Sequence, residues 1–389
     1  MATKKYLSGE QLQQALFKRT EGYAANVRAI YDKYLTDIIN VVKGTQLEDG
    51  KPFSFSAYGY TSKVQPLLRA MYSHLYQTIR LGVQKEWLSA EENNDELVIS
   101  VFGEKSIEDK HFARYFLRNE EAMNAFIARK TNGMNLSKRV WNLTGRYKEE
   151  LEDSLDLAMG EGTPANSLAA KIKKYLKEPD RFYRRFCVKV GEDEDGNPVF
   201  GRVWKRRIWS DADNSYKWIN DEPGKYHPGK GVYRSSARNA QRLARTETNI
   251  AYRTADYDRW QKFDFVVGVE IKLSNNHPTT DICDDLKGVY PKGFKWTGWH
   301  PNCRCYMVPV LKTQNEIERN AERILDGEEP LADSVNTVRD VPQEMKTWLA
   351  ANQERIENAA TLPYWMQDNK NAIDNVFVKA SESGKSRRD

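Results

Sequence analysis

Residues 274–311 read SNNHPTTDICDDLKGVYPKGFKWTGWHPNCRCYMVPVL, and the reading of the whole chain starts from them. They hold three of the four cysteines and two of the five histidines. Thiolate and imidazole are the donors a tetrahedral zinc ion prefers, and a structural ion takes four. Cys283, His300, Cys303 and Cys305 supply three sulfurs and one nitrogen in the spacing C-x16-H-x2-C-x-C. That spacing draws one ligand from one loop and three from a compact turn stiffened by Pro301. His277 and Asp281 stand in reserve on the first loop. The same residues admit two other readings. Reduced cysteines can pack as small apolar groups while His300 caps a turn. Alternatively, Cys283 is a nucleophile and His300 its base, which needs a third group to orient the imidazole, and none is evident. Asp281, Asp284 and Asp285 lack the alternating spacing of a calcium loop.

Working outward, Phe265–Leu273 and Tyr306–Leu311 are predicted strands on either side of this segment. A helix is predicted over 235–263, with Leu243, Ile250, Ala251, Ala255 and Trp260 on one side and Arg238, Arg242 and Arg245 on another. Paired to carboxylates these arginines would be structural; the alternative is a basic groove reader. Residues 181–230 alternate apolar and charged positions and predict a β-hairpin or small sheet, with Asp195-Gly196 as its turn. The first 180 residues are mainly helical in pattern. Ser8 and Gln11 resemble a capping box. Val27, Tyr31, Tyr34, Leu35, Ile38 and Val42 recur at helical spacing before Gly44. Further helices are predicted over 65–87 with Pro66 in the first turn, over 111–131, from a Ser137 cap, and from Thr163 with Pro164 first. Leu97–Phe102 is too short to assign. The C-terminal part returns to helix over 314–326 and 341–360, and residues 381–389 form a polar tail expected to be unfolded. The predicted class is α+β, mainly α. A helical N-terminal region (1–134) precedes a small α+β domain (135–311, with a β insertion at about 182–230) that carries the Cys/His cluster. A helical C-terminal extension with a flexible tail (312–389) follows.

Charge narrows the function classes. The 389 residues carry 60 Lys and Arg against 55 Asp and Glu, a net +5. Forty per cent hydrophobic residues give enough apolar area for folded domains. No apolar run approaches the ~18 residues of a membrane span, and the N-terminus lacks the apolar core of a secretion signal, so no membrane partner is expected. Between Lys171 and Arg207 there are 12 basic and 6 acidic residues. Lys171, Lys173, Lys174, Arg181, Arg184, Arg185, Arg202, Lys205, Arg206 and Arg207 are interleaved with Tyr175, Phe182, Tyr183, Trp204 and Trp209. Cations with aromatics suit phosphate contact and base stacking. The plainer alternative is a solvated face above inward-facing rings.

Asp281-x-Cys283, Gly288-Val289-Tyr290-Pro291 and His300-Pro301-x-Cys303-x-Cys305 resemble the C-terminal signature of the phage Mu protein F-like, or head morphogenesis, family. Upstream, Ala244-Arg245-Thr246-Glu247-Thr248 with Ala251 and Trp260 is similar to that family's arginine-threonine-glutamate helix, and Leu136–Trp141 and Gly162–Leu168 to its helical half. The likeness covers about 135–311. Many relatives carry a C-x-x-C pair where this chain has Thr280 and Cys283, which gives His300 more weight. The resemblance implies a minor capsid protein of tailed phages and prophages, present in few copies inside the virion and made in the host cytoplasm. Its implied partners are the portal protein and/or the major capsid protein; the zinc expected from the Cys/His donor set is a structural one. A DNA-binding virion protein acting on double-stranded DNA in packaging or delivery is the alternative. A Cys/His-dependent hydrolase or nuclease is the third reading.

Overall fold

The computed structural model describes residues 9–48, 53–160, 162–177, 183–192, 196–210, 215–220, 235–275, 280–359, 362–374 and 376. In α1 (Gly9–Val42) the stripe Val27, Tyr31, Tyr34, Leu35, Ile38 and Val42 is buried, as its spacing predicts. Gly44 has φ +89°, a left-handed stop just past the helix. Ser8, the predicted cap, and the 381–389 tail lie outside the described residues. α2 (Thr61–Phe102) is longer than predicted, absorbs Leu97–Phe102 and puts Pro66 in its second turn. The polar run from Glu91 to Glu96 suggests a helix end in sequence. In the fold, Glu91, Asn94 and Asp95 bond to a later helix, so α2 continues until Gly103 at φ +85°.

The helix predicted over 111–131 is instead a 3₁₀ turn (Ala113–Phe116) and α3 (Glu120–Ala128). Asn119 breaks the run and caps α3, its Oδ1 accepting from the Ala122 N–H at 3.0 Å. α4 (Leu136–Gly160) likewise starts from Asn135, whose Oδ1 accepts from the Lys138 N–H at 2.9 Å, and Ser137 lies inside the helix. α5 (Ala165–Lys177) follows Pro164.

β1 (Tyr183–Glu192), β2 (Pro198–Ser210) and β3 (Ser215–Asn220) form an antiparallel meander where the insertion is predicted. Gly196 turns between β1 and β2 at φ +80°, and Asp195 lies outside the described residues. α6 (Ser236–Lys262), β4 (Val266–Lys272), α7 (Ile282–Leu286), β5 (Gly288–Pro291) and β6 (Tyr306–Leu311) come next. The second sheet has the order β5-β4-β6, antiparallel throughout, with Val269 opposite both Tyr290 and Pro309. α7 and β5 are too short to show a period. α8 (Gln314–Leu325) opens on a Thr313–Glu316 capping box, and α9 (Gln343–Ala351), α10 (Gln353–Glu357) and α11 (Tyr364–Asp368) follow, with residues 370–374 helical after them. The class is α+β, mainly α. No described helix is long and apolar enough to cross a membrane.

The chain divides into two compact units that interleave along the sequence. The first comprises residues 1–22, 79–128 and 245–389, and the second 23–78 and 129–244. The consecutive regions 1–134 and 135–311 therefore each contribute to both. In the first unit, Phe263, Phe265, Val269, Tyr290 and Trp296 share one apolar cluster with Cys283, Cys303, Cys305 and the C-terminal Met345 and Trp365.

Candidate metal centre

The site lies within the first unit, between α7 and the turn before β6. Asp281 caps α7: its Oδ1 accepts from the Cys283 N–H at 2.8 Å, and Asp284 Oδ2 accepts from the Asp281 N–H at 2.8 Å. This capping box sets Cys283 in the first turn with its side chain buried. Opposite, the chain turns tightly, the Cys303 N–H donating to the His300 carbonyl at 3.1 Å while Asn302 takes φ +63°.

His300 Nδ1 is 2.8 Å from the Pro301 carbonyl. A carbonyl only accepts, so Nδ1 carries the hydrogen and Nε2 is left to face the cluster. His300 Nε2 lies 3.2 Å from Cys283 Sγ and 3.3 Å from Asp281 Oδ2. Cys283 Sγ is 3.7 Å from Cys303 Sγ. Two thiolates each about 2.3 Å from a tetrahedral ion stand about 3.8 Å apart, so this pair already has the spacing of an ion's coordination edge. The ligand atoms of Cys283, His300 and Cys303 all lie within 4.8 Å of one another, and these three can hold a metal ion. Cys305 is buried beside these residues without joining that group. Of the two reserves, Asp281 is the helix cap and faces His300, and His277 lies outside the described residues.

Arg253 on α6 holds the turn from behind. Its Nη1 donates to the Thr297 carbonyl at 2.9 Å, and its Nη2 to the carbonyls of Cys303 and Cys305 at 2.9 and 2.7 Å. The guanidinium also lies over the Trp296 ring, 4.5 Å from its centroid. Gly298, at φ +127°, lets the backbone approach this arginine: a Cβ there would come within 2.7 Å of Nη1. Burial disfavours a charge on Cys303, yet the neighbouring Cys283 and Cys305 thiols, together with Arg253 and His300, bring its thiol well below the ordinary value. The Cys303 and Cys305 contacts and burial push Cys283 up. For Cys305 the nearby Cys283 lowers the thiol, but Cys303 and burial leave it raised. A cation held by Cys283, His300 and Cys303 would replace the proton that the paired Cys283 and Cys303 sulfurs share.

Sequence reasoning missed Arg253. The available signal was its place on α6 three and seven residues before Asp256 and Trp260, a polar pair on a tryptophan face. Of the arginines singled out on α6, Arg245 makes a two-pronged pair with Glu21 at 2.7 and 2.8 Å, and Glu247 is buried.

The basic patch lies in the second unit. Lys171 donates to Thr163 Oγ1 at 2.8 Å, Lys173 pairs with Asp32 at 2.6 Å, Lys174 is exposed and Tyr175 is buried. Strand register sets Arg184 opposite Lys205, Arg185 opposite Trp204, Arg206 opposite Tyr183 and Arg202 opposite Cys187, while Arg207 lies across from Trp218 on β3. Arg181 and the side chains of Arg184, Arg185, Arg202, Arg206 and Arg207 fall outside what is described. Comparison of the chain with protein-family models, with curated proteins and with solved structures finds no match.

Proposed function

We propose that this chain is a non-catalytic head protein of a tailed phage or prophage, in which one zinc ion holds α7 against the 297–305 turn. The observation that carries the reading is the convergence of Cys283, His300 and Cys303 from two separate loops into one group of ligand atoms. Sulfur with imidazole is a donor set that favours zinc over the hard cations, which take oxygen. Cys283, Cys303 and Cys305 are buried, and this suits a closed structural ion better than a catalytic one, which keeps a position open to water. The ion would add a cross-link between distant loops, and Arg253 would keep the turn in its binding shape. The head role rests on the resemblance of residues 135–311, and with it the portal or inner capsid surface as partner and the virion interior as location.

Two measurements test this. Elemental analysis of the purified full-length chain is expected to give about one zinc per chain, with a lower melting temperature after chelation. Cys303→Ser is expected to lose the metal and loosen the fold. A chain that is folded, metal-free and indifferent to chelation overturns the zinc. Deleting the gene from the phage or prophage that encodes the chain is expected to reduce the yield of filled, infectious heads. An undiminished yield overturns the head role.

A further inference from the structure

Charge is divided unevenly between the two units. The second unit, residues 23–78 and 129–244, holds 30 Lys and Arg against 20 Asp and Glu, a net +10. The whole chain carries +5, so the first unit carries −5. Within the second unit two helices expose an acid-free surface. α2 has no acidic residue from Thr61 to Thr78, where it leaves this unit, and α4 has none before Glu149.

Three aromatic rings gather where these helices meet. Tyr72 and Tyr76, one turn apart on α2, lie nearly parallel with centroids 6.2 Å apart. Trp141 on α4 stands at 85° to Tyr72, 5.3 Å away. The Tyr72 hydroxyl is tied to Ser137 Oγ at 2.8 Å, which fixes that ring before any ligand arrives. Trp141 keeps 42% of its surface exposed, unusual for an indole with so much apolar area to bury. One turn further along α4, Gly145 leaves open space: a Cβ there would meet nothing within 4 Å.

Cations flank the rings. Arg69 lies three residues before Tyr72, and Lys138 three before Trp141, so each shares a helix face with its ring. Both are exposed, and neither has an ion-pair partner among the described residues. A half-exposed, pre-oriented aromatic group with unpaired cations and no nearby acid on its own helices suits a ligand that has both π-faces and phosphates.

We propose that this α2–α4 face, centred on Tyr72, Tyr76 and Trp141, binds single-stranded nucleic acid, with bases stacking on the rings and phosphates meeting Arg69 and Lys138. A duplex keeps its base faces stacked inside and offers the rings nothing, so the aromatic component selects the single strand. The proposal is independent of the metal centre and of the head role.

The test is fluorescence anisotropy with the full-length chain and a labelled 20-nucleotide single strand, beside a duplex of the same length, over a salt series. The single strand is expected to bind more tightly than the duplex. Trp141→Ala is expected to weaken single-strand binding about tenfold or more, with Trp141→Phe restoring most of it. The double change Arg69→Gln with Lys138→Gln is expected to lower the salt slope by about 1.4, near 0.7 for each phosphate contact. Trp141 is exposed, so unchanged circular dichroism is expected in these variants. Absence of binding overturns the proposal, as does equal affinity for duplex with no effect of Trp141→Ala. Equal competition by polyglutamate also overturns it and points to an acidic protein as the occupant.

Discussion

Asp256 is buried on α6, where Asn94 Nδ2 donates to its Oδ1 at 2.7 Å. Burial pushes its carboxyl up to about 8 from an ordinary 3.8, against the opposing pull of the Asn94 bond, Arg253 and Arg259. Between about pH 4 and 8 the folded chain therefore holds a proton at Asp256 that the unfolded chain has released. Unfolding free energy then falls as pH rises through that window, by up to about 1.4 kcal/mol per pH unit from this site, and levels off above it. Asp256→Asn keeps an oxygen for Asn94 and removes the titration. Urea denaturation at pH 5 and pH 8 is expected to show the variant gaining on the parent at the higher pH. A constant difference between the two would mean that Asp256 is ionised in the folded chain.

At the scale of elements, side-chain caps set the helix starts that periodicity alone misplaces. Asn135, not Ser137, opens α4, and Asn119 opens α3. Asn135→Ala is expected to cost about 1 kcal/mol in urea denaturation, with Asn135→Asp restoring most of it, because either side chain can accept from the Lys138 N–H. Equal losses in both variants would remove the cap from the account. The end of α2 depends on a different kind of contact. Arg259, nearly inaccessible on α6, bonds Glu91 and Asp95 of α2 and the Tyr115 carbonyl, while Trp260 Nε1 donates to Asn94 Oδ1 at 2.6 Å. In a polar run that would terminate a solvated helix, Glu91 and Asn94 are here buried partners of α6, which keeps α2 helical to Phe102.

At the scale of the molecule, the C-terminal helices belong to the core around the Cys/His cluster. Trp365 is fully buried and meets the Trp299 ring at 5.1 Å and 88°. Trp365→Ala is expected to cost about 3–5 kcal/mol of unfolding free energy in the full-length chain. A loss below about 1 kcal/mol would show residues 312–389 to be a dispensable appendage. The sequence by itself determined the class, most helices and long strands, and the four residues worth weighing as ligands, because helical stripes, strand alternation and Cys/His spacing are local properties of the chain. Tertiary structure alone decided that Cys283, His300 and Cys303 meet while Cys305 stands beside them. It also decided that Arg253 braces their turn, and that Trp365 joins the same core. Each of these depends on closing loops of tens to more than a hundred residues, and no local period records which distant surfaces then come into contact.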